Sequence, residues 1–297
     1  MDDRLHKLAA LVEAGSYTKA ARTLRISQPG LSAAIKKLEK ELGAVLVRTE
    51  HRQLVVTPAG QLAYEAALQQ RATWQNLTSE LARLHGGTVP LRLGLLDSVA
   101  ALLEHPANPL ALLETNYDVS LHVSDTKALS HGVKSGQLDY AIVVGSETPQ
   151  AGLYSQPLAA DRLVLVGSSR QAAQYNQAIA AGRVVPFISY LHTSETARLV
   201  RARLDQVGVR TRVVLQSTSP EVMVQMVLRG RGAAVLPWQL VAPYVHSGAL
   251  AGLPNQAICQ VARPLCLVML RGKQVPRDVE QFLETIPNLM PHSASVE

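Results

Sequence analysis

The segment from Gly15 to Gly43 constrains the fold most, because it has the pattern of two helices joined by a short turn. Thr18 is a suitable N-cap for the first helix and Ser27 for the second. Pro29 falls in the first turn of the second helix, where its missing N–H costs nothing. The apolar positions of that helix recur at helical spacing and predict its buried face: Leu31, Ile35, Leu38 and Leu42.

The other faces of this helical hairpin are basic. Between Ala14 and Lys40 the sequence has six Lys or Arg residues and a single acid, Glu39. A helix face of small residues with flanking lysines suits the major groove of DNA, with the lysines at phosphates. An amphipathic hairpin with a solvated basic face shows the same pattern, so this segment alone leaves both interpretations open.

A β-hairpin is predicted directly after the two helices. Two β-prone runs within residues 46–56 enclose a polar, basic tip at His51 and Arg52. Such a hairpin resembles the wing of a DNA-binding domain, whose tip reaches a phosphate or the minor groove. A solvated turn is the alternative.

A long helix is predicted from Thr57 and Pro58, an N-cap followed by proline, to about His85, before Gly86 and Gly87. Its roughly 28 residues would span ~42 Å, too long for one small domain. Its apolar seam has coiled-coil spacing: Ala63, Ala67, Gln70, Trp74, Leu77, Leu81 and Leu84. The C-terminal part of this seam, from Trp74 to Leu84, predicts pairing of two chains; a helix lying over its own domain is the alternative.

From Leu91 onward, strands alternate with helices, which is typical of a doubly wound α/β region. Strands are predicted at residues 91–96, 119–123, 140–144, 158–166, 184–190, 212–216, 233–236 and 261–270. Helices are predicted at residues 98–113, 126–135, 195–207, 220–229 and 278–286. Two similar cycles with two extended crossings predict paired lobes around a hinge, as in periplasmic solute-binding proteins.

The N-terminal motifs carry a resemblance to a known family. They comprise Gly15-Ser16-Tyr17, Ala20-Ala21, Leu24, Ser27-Gln28-Pro29, Ser32, Ile35, Leu38-Glu39, Leu42-Gly43, Leu46, Thr57 and Ala59-Gly60. At this spacing they resemble the winged helix-turn-helix of LysR-type transcriptional regulators. The resemblance continues at Gly136-Gln137-Leu138-Asp139, at Pro157-Leu158 with Asp161, and at Gly230 and Gly232 with Leu236-Pro237.

The resemblance implies a multi-domain α+β protein in three parts. These are a winged helix-turn-helix DNA-binding domain at 1–57, a linker and dimerisation helix with hinge at 58–87, and an effector-binding domain at 88–297. Within the effector-binding domain, lobe I is expected at about 90–161 and 267–297, and lobe II at about 162–266.

The expected DNA contacts come from the hairpin and the wing. They are Thr18, Ser27, Gln28, Pro29, Ser32, Ala33, Lys36, Lys37, His51 and Arg52, with Gln28 and Ser32 the expected base contacts. Three positions depart from the family pattern. Gly30 lacks the side chain usual there, Val47 replaces phenylalanine, and Thr49 replaces an arginine that would bind the DNA backbone.

The expected effector contacts follow the carboxyl ends of strands, where ligands bind in open α/β sheets. They are Asp97, Ser98, Ser124, Asp125, Thr126, His192, Thr193, Gln216, Ser217 and Thr218. Any single one of them has the alternative role of a helix N-cap. Clustered hydroxyls suit a polar or carboxylate metabolite, but Asp97 and Asp125 would repel a simple anion and suit an amine or hydroxyl, so both classes stay open.

Composition and motifs argue against other classes. The net charge is +6, and residues 1–60 hold ten Lys or Arg against six Asp or Glu, which favours a polyanionic partner. No metal-binding spacing, nucleophile elbow, P-loop or dinucleotide fingerprint is present, so we expect no enzyme, metal or cofactor. Cys259 and Cys266 suit a buried setting, and without a signal peptide or membrane span the chain is expected in the cytoplasm.

The sequence therefore predicts a sequence-specific DNA-binding transcriptional regulator controlled by a small-molecule effector between two lobes. Its expected partners are double-stranded promoter DNA, the effector and a second copy of the chain, as homodimer or homotetramer. RNA polymerase is a further candidate, and no membrane is involved. One alternative is a solute-binding or enzymatic α/β protein whose N-terminal helices serve only assembly. A second is a DNA-binding protein with a vestigial cleft.

Overall fold

The computed structural model describes residues 3–50, 53–84, 86–107, 109–145, 152–253 and 261–290. The N-terminal part contains helices α1 (Asp3–Ala14), α2 (Tyr17–Leu24) and α3 (Gln28–Leu42), then strands β1 (Val47–Glu50) and β2 (Gln53–Val56). Its core joins Leu8 and Leu11 of α1 to Leu31, Ile35 and Leu38 of α3. The predicted helical hairpin and β-hairpin are confirmed, and the tip at residues 51–52 lies outside the described residues.

Two local predictions in the helical hairpin were wrong. Thr18 does not cap α2, because the helix begins at Tyr17 and Ser16 occupies the N-cap position with extended backbone. Leu42 is 52% exposed rather than buried. The chain turns at Gly43, whose φ is 63°, and Leu46 fills the core in its place.

Helix α4 (Pro58–Leu84) is the predicted long helix, and Thr57 caps it by accepting the N–H of Gly60 at 3.0 Å. Its N-terminal half is buried: Ala63 packs in the N-terminal core, and Ala67, Leu68 and Ala72 pack in the core of the following domain. The C-terminal half exposes its apolar seam. The N-terminal half of the helix therefore lies over its own domain, and pairing of two chains through the C-terminal half stays a prediction.

The C-terminal part is built on a mixed sheet with strand order β10-β6-β11-β5-β3-β4, in which β9 also pairs with β6. The strands are β3 (Val89–Leu95), β4 (Tyr117–Val123), β5 (Tyr140–Val144), β6 (Leu153–Ser168), β7 (Val185–Tyr190), β8 (Thr211–Ser217), β9 (Ala234–Pro237), β10 (Leu250–Gly252) and β11 (Val261–Leu270). Strands β7 and β8 form a small parallel sheet that meets β9 at the bridge between Phe187 and Ala233.

Helices cover these sheets on both sides. They are α5 (Asp97–Ala100), α6 (Ala111–Glu114), α7 (Thr126–Ser135), α8 (Ser169–Ala180), α9 (Glu195–Gln206), α10 (Pro220–Leu228), α11 (Trp238–His246) and α12 (Arg277–Leu289). One apolar core lies under β3, β5 and α12, and two others lie around β7, β9 and the second half of β6. Long strands β6 and β11 pair along their length and join the two halves.

The predicted helix over residues 98–113 is wrong. It divides into α5, a 3-10 turn at Ala101–Glu104, and α6, because Pro106 and Pro109 cannot continue a helix. Helices α8 and α11 and strand β10 were not predicted. Helix α8 buries only Ala172 and Tyr175, so its apolar pattern is faint, and α11 contains Pro243. Among the helices in the described residues, none combines the length and apolarity that a bilayer crossing demands.

A buried ion cluster connects β3, β5 and the loop after β11. Arg92 donates from Nε to Asp139 Oδ2 at 3.0 Å, and Lys273 Nζ donates to Asp139 Oδ1 at 2.6 Å. Burial by itself raises the pKa of Asp139, but hydrogen bonds from Arg92 and the charge of Lys273 outweigh it and hold that pKa below its usual value. The ionised carboxylate therefore stabilises the folded chain.

Replacing Asp139 by Asn should lower the free energy of unfolding by about 3 kcal/mol at neutral pH, because the buried Lys273 and the half-buried Arg92 lose their counter-charge. Since the folded-state pKa is depressed, this contribution is present above the unfolded pKa, about 3.9, and is lost as the pH falls through the folded value. Urea unfolding of wild type and D139N across this range checks it. If the difference in free energy of unfolding between wild type and D139N does not shrink in acid, the stabilising role of the Asp139 carboxylate is contradicted. D118N, at an exposed site on β4, is the control.

Candidate functional site

Helix α3 presents a surface of small and basic side chains. Ser27 caps it by accepting the N–H of Gly30 at 3.2 Å, as predicted. Leu31 and Ile35 hold the opposite face in the core. The exposed set is Gln28, Pro29, Ala33, Lys36 and Lys37, while Ser32 is half-buried. Because this face carries short side chains between its lysines, it can approach the edges of base pairs closely.

The turn before α3 and the neighbouring helix extend the same surface. Arg25 adopts a left-handed conformation with φ of 54°, which ends α2 and lets its N–H reach the carbonyls of Ala21 and Arg22. Thr18 and Arg22 are exposed on α2. This surface is therefore basic on both helices of the hairpin.

Glu39 of α3 connects that helix to the start of the β1–β2 hairpin, which is the predicted wing. Its carboxylate accepts the N–H groups of Leu46 and Val47 at 2.8 and 3.3 Å. Arg48 is exposed on β1. His51 and Arg52, predicted as contacts at the wing tip, lie outside the described residues.

The second half of α4 carries an exposed apolar seam. Trp74, Leu77, Leu81 and Leu84 are 54%, 49%, 45% and 80% exposed, respectively. They recur at alternating spacings of three and four, which is the spacing of a helix that packs against another helix.

The predicted effector residues of the first half of the domain meet at one edge of the sheet. Strands β4 and β5 both run parallel to β3, so their carboxyl ends lie together. The N–H of Ser124 bonds to the carbonyl of Leu95 at 3.2 Å, and Thr126 Oγ1 accepts the N–H of Val144 at 3.1 Å. Asp97 is half-buried, and burial raises its pKa.

One of the predicted positions acts as a helix cap, and others lie beside residues that do. Asp125 accepts the N–H of Ala128 at 2.9 Å, and Ser217 shares hydrogen bonds with Ser219, which caps α10. Ser194, beside His192 and Thr193, accepts the N–H of Ala197 at 3.0 Å. His192, Thr193, Gln216 and Thr218 are exposed at the carboxyl ends of β7 and β8.

The centre between the two halves is occupied by a buried ion pair that the sequence did not reveal. Asp161 on β6 and Arg263 on β11 face each other in the strand register, and Arg263 Nη2 donates to Asp161 Oδ2. The same guanidinium donates to Ser98 Oγ at 2.8 Å and to Thr196 Oγ1 at 3.1 Å. Ser98 is the second residue of α5 and Thr196 the second residue of α9, so Arg263 connects the two halves.

One signal in the sequence points to this pair. Asp161 stands just before the apolar run 163–166 of β6, and Arg263 is the single charge in an otherwise apolar strand; a charge in such a setting is buried only with a partner. Their 0% and 4% exposure agrees with that rule. The pairing itself depends on strand register across 102 residues of sequence separation.

A second buried ion pair connects the N-terminal part to the C-terminal part. Arg71 on α4 donates from Nη1 to Glu13 of α1 at 3.0 Å and to the carbonyl of Lys134 at the end of α7. Burial raises the pKa of Glu13, and the charge of Arg71 opposes this effect. Gly136, with φ of 74°, follows α7, and a Cβ there would lie 2.9 Å from Arg71 Cδ.

These surfaces define a DNA-binding protein with a two-lobed α/β domain. Residues 3–61 match the family model described as "Bacterial regulatory helix-turn-helix protein, lysR family", and residues 85–290 match "LysR substrate binding domain". The chain therefore belongs to the LysR family: it is a DNA-binding transcriptional regulator with an effector-binding domain, as the sequence predicts.

Individual relatives are similar to this chain over most of its length. A "Probable RuBisCO transcriptional regulator" of Cyanophora paradoxa is 29% identical, covering 84% of this chain and 79% of its own. The "Nitrogen assimilation regulatory protein nac" of Klebsiella aerogenes is 29% identical, covering 88% and 84%. The crystal structure of ArgP from Mycobacterium tuberculosis is similar with a TM-score of 0.64 at 23% identity, covering 96% of each chain.

Replacing Arg71 by Met should destabilise the junction between the two parts, because Glu13 stays buried without its cation. A loss of about 3 kcal/mol is expected. Hydrogen exchange should then accelerate together at the C-terminal ends of α1 and α7. R170M removes an exposed arginine of α8 and should change neither region. Faster exchange in α1 alone would show that Arg71 does not connect the two parts.

Proposed function

We propose that α3 enters the major groove of promoter DNA and that its exposed small and basic face makes the contacts. Gln28 and Ser32 bond to base edges, Pro29 and Ala33 allow close approach, and Lys36 and Lys37 bind phosphates. Thr18 and Ser27 flank this face, and the wing tip at His51 and Arg52 adds backbone contacts. The observation that carries this proposal is the combination of a capped, well-packed α3 with exposed small and basic residues outside.

A small molecule bound between the lobes modulates that DNA binding. Asp97, Ser98, Ser124, Asp125 and Thr126 border the site in one lobe. The other lobe contributes His192, Thr193, Gln216, Ser217 and Thr218. Ser98 and Thr196 share the guanidinium of Arg263, which supports a site between the lobes. The proposed domain limits are those of the sequence: 1–57, 58–87 and 88–297.

A change in lobe position reaches DNA through α7 and Arg71. Helix α7 begins at Thr126 beside the proposed effector site and ends at the carbonyl that Arg71 binds. A shift of α7 therefore alters the contacts of Arg71 and Glu13, and so the placement of the DNA-binding domain. Effector binding acts as a population shift between placements.

Two copies of the chain pair through the exposed seam of α4. Exposure of Trp74, Leu77, Leu81 and Leu84 on a single helix supports this assembly, which places two α3 helices on two half-sites. The protein acts without enzymatic chemistry and in the cytoplasm, where promoter DNA is available to it. A homotetramer and contact with RNA polymerase extend the same proposal.

Replacing Lys36 by Ala should weaken binding to all DNA sequences and reduce the magnitude of the salt slope by about 1, because one phosphate contact is lost. DNA fragments identified by genome-wide mapping of bound sites provide the probe, and titrations over a range of salt measure the slope. K127A removes an exposed lysine of α7 and should leave the slope unchanged. An unchanged salt slope in K36A would refute the phosphate contact of Lys36. A wild-type protein that retards none of the fragments would refute the proposed binding of α3 to promoter DNA.

Replacing Leu77 and Leu81 together by Glu should dissociate the pair, because charged groups replace apolar contacts at the centre of the seam. Losing this burial should raise the dimer dissociation constant by at least about a hundredfold. Light scattering coupled to gel filtration measures it. L62E, at a 70% exposed leucine of the same helix outside the seam, is the matched control. A double variant that keeps the wild-type mass would place the pairing surface elsewhere.

A further inference from the structure

Three buried polar atoms between the lobes have no hydrogen-bond partner within the part of the chain that the structure describes. They are Oδ1 of Asp161, Nε of Arg263 and the hydroxyl of Tyr190. The three residues are 0%, 4% and 6% exposed. Buried polar groups are almost always satisfied by hydrogen bonds, so three such atoms in one region indicate a binding partner.

Two of the three residues are in direct contact, and the third, Tyr190, lies within reach of their charges. Asp161 and Arg263 are in direct contact through the other carboxylate oxygen. Tyr190 is the last residue of β7, and Ala197, next to Thr196, packs in its core cluster. The charges of Arg263, Asp161 and Asp97 all act on the pKa of Tyr190, which burial raises. The hydroxyl of Tyr190 therefore remains protonated and can donate a hydrogen bond.

The unpartnered atoms need both an acceptor and a donor. The Nε–H of Arg263 and the hydroxyl of Tyr190 require an acceptor, while Asp161 Oδ1 accepts only. An anionic acceptor is further favoured by the N-terminus of the twelve-residue helix α9, where Thr196 meets Arg263. A cationic donor is favoured by the second carboxylate, Asp97, which feels the charges of Glu221 and Arg263.

We propose that the effector is a free α-amino acid, with its carboxylate on Arg263 and Tyr190 and its ammonium on Asp161. This inference rests on the proposed function, since it specifies the chemistry of the site between the lobes. Asp161 and Arg263 are neighbours in the strand register, so their two unpartnered atoms require a donor and an acceptor on adjacent parts of one molecule. An α-amino acid holds these groups one carbon apart.

The same atoms explain why a ligand with only a carboxylate, or with only an ammonium group, is not sufficient. A simple carboxylate would leave Asp161 Oδ1 buried without a donor and would face Asp97. A simple amine would leave the donors of Arg263 and Tyr190 unpaired. Leaving a charged group unsatisfied costs more than the gain from one contact, so the site discriminates against both.

Thermal shift of the full-length protein against the separate protein amino acids is the first experiment. At least one amino acid should raise the Tm. Its desamino analogue and its decarboxylated amine should each bind at least about tenfold more weakly by calorimetry, because each loses a hydrogen bond to a charged group. If a desamino analogue binds equally well, or if only dicarboxylates, aromatic acids or sugar phosphates raise the Tm, the proposal is wrong. An unchanged Tm with every compound overturns it as well.

Tyr190→Phe gives an independent test that spares the fold, because it removes only a hydroxyl with no partner. The Tm of the ligand-free protein should stay the same or rise, and the Kd for the amino acid should increase about tenfold. Tyr175→Phe is the control: the hydroxyl of Tyr175 donates to Gln171 Oε1 at 3.0 Å in the second core of the same lobe, so the Kd should stay unchanged. A Y190F protein with lower Tm and unchanged Kd would show that the hydroxyl already has an internal partner.

DNA retardation by the same preparation separates the two proposals. A protein that retards promoter DNA but responds to no amino acid refutes only the effector class. A protein that binds an amino acid but retards no DNA supports the ligand chemistry and refutes the proposed DNA contacts of α3.

Discussion

The pairing of β6 with β11 is the constraint on which the C-terminal domain depends. Its register runs from Leu153 with Leu270 to Leu163 with Val261, so both lobes share one pair of strands. The same register places Asp161 opposite Arg263 where the strands pass between the lobes. A slip of one strand by one residue would turn its charge to the opposite face and leave the other charge buried without a partner, so the ion pair and the register specify each other.

Elements with strong periodicity could be predicted from the sequence, and elements defined by distant contacts could not. Helix α4 appears within a residue of its predicted ends, because its cap and glycines are local signals. Helix α8 was missed because only Ala172 and Tyr175 are buried, and a helix with so few buried positions shows little pattern. The helix at 98–113 was overextended because its apolar spacing concealed the effect of Pro106 and Pro109.

In the candidate site too, local signals could be read from the sequence and distant contacts could not. Strand ends and hydroxyl clusters identified Ser98 and the sheet edge around Thr126, since those signals lie within a few residues. Arg263 could not be found this way, because its partners Asp161, Ser98 and Thr196 are 102, 165 and 67 residues away. An isolated charge in an apolar strand indicates burial with a partner, but only the fold tells which partner it is.

The two buried arginines differ in what they allow the molecule to do. Arg263 lies on the strand pair that both lobes share, and its guanidinium bonds to one residue of each lobe, Ser98 and Thr196. Arg71 connects three separate elements, α1, α4 and α7, through one guanidinium. Buried ion pairs depend steeply on distance and geometry, so a small displacement of α7 breaks one contact before a new one forms. In the mechanism that we propose, a junction of this kind has discrete arrangements, and a ligand that favours one of them changes the position of the DNA-binding domain.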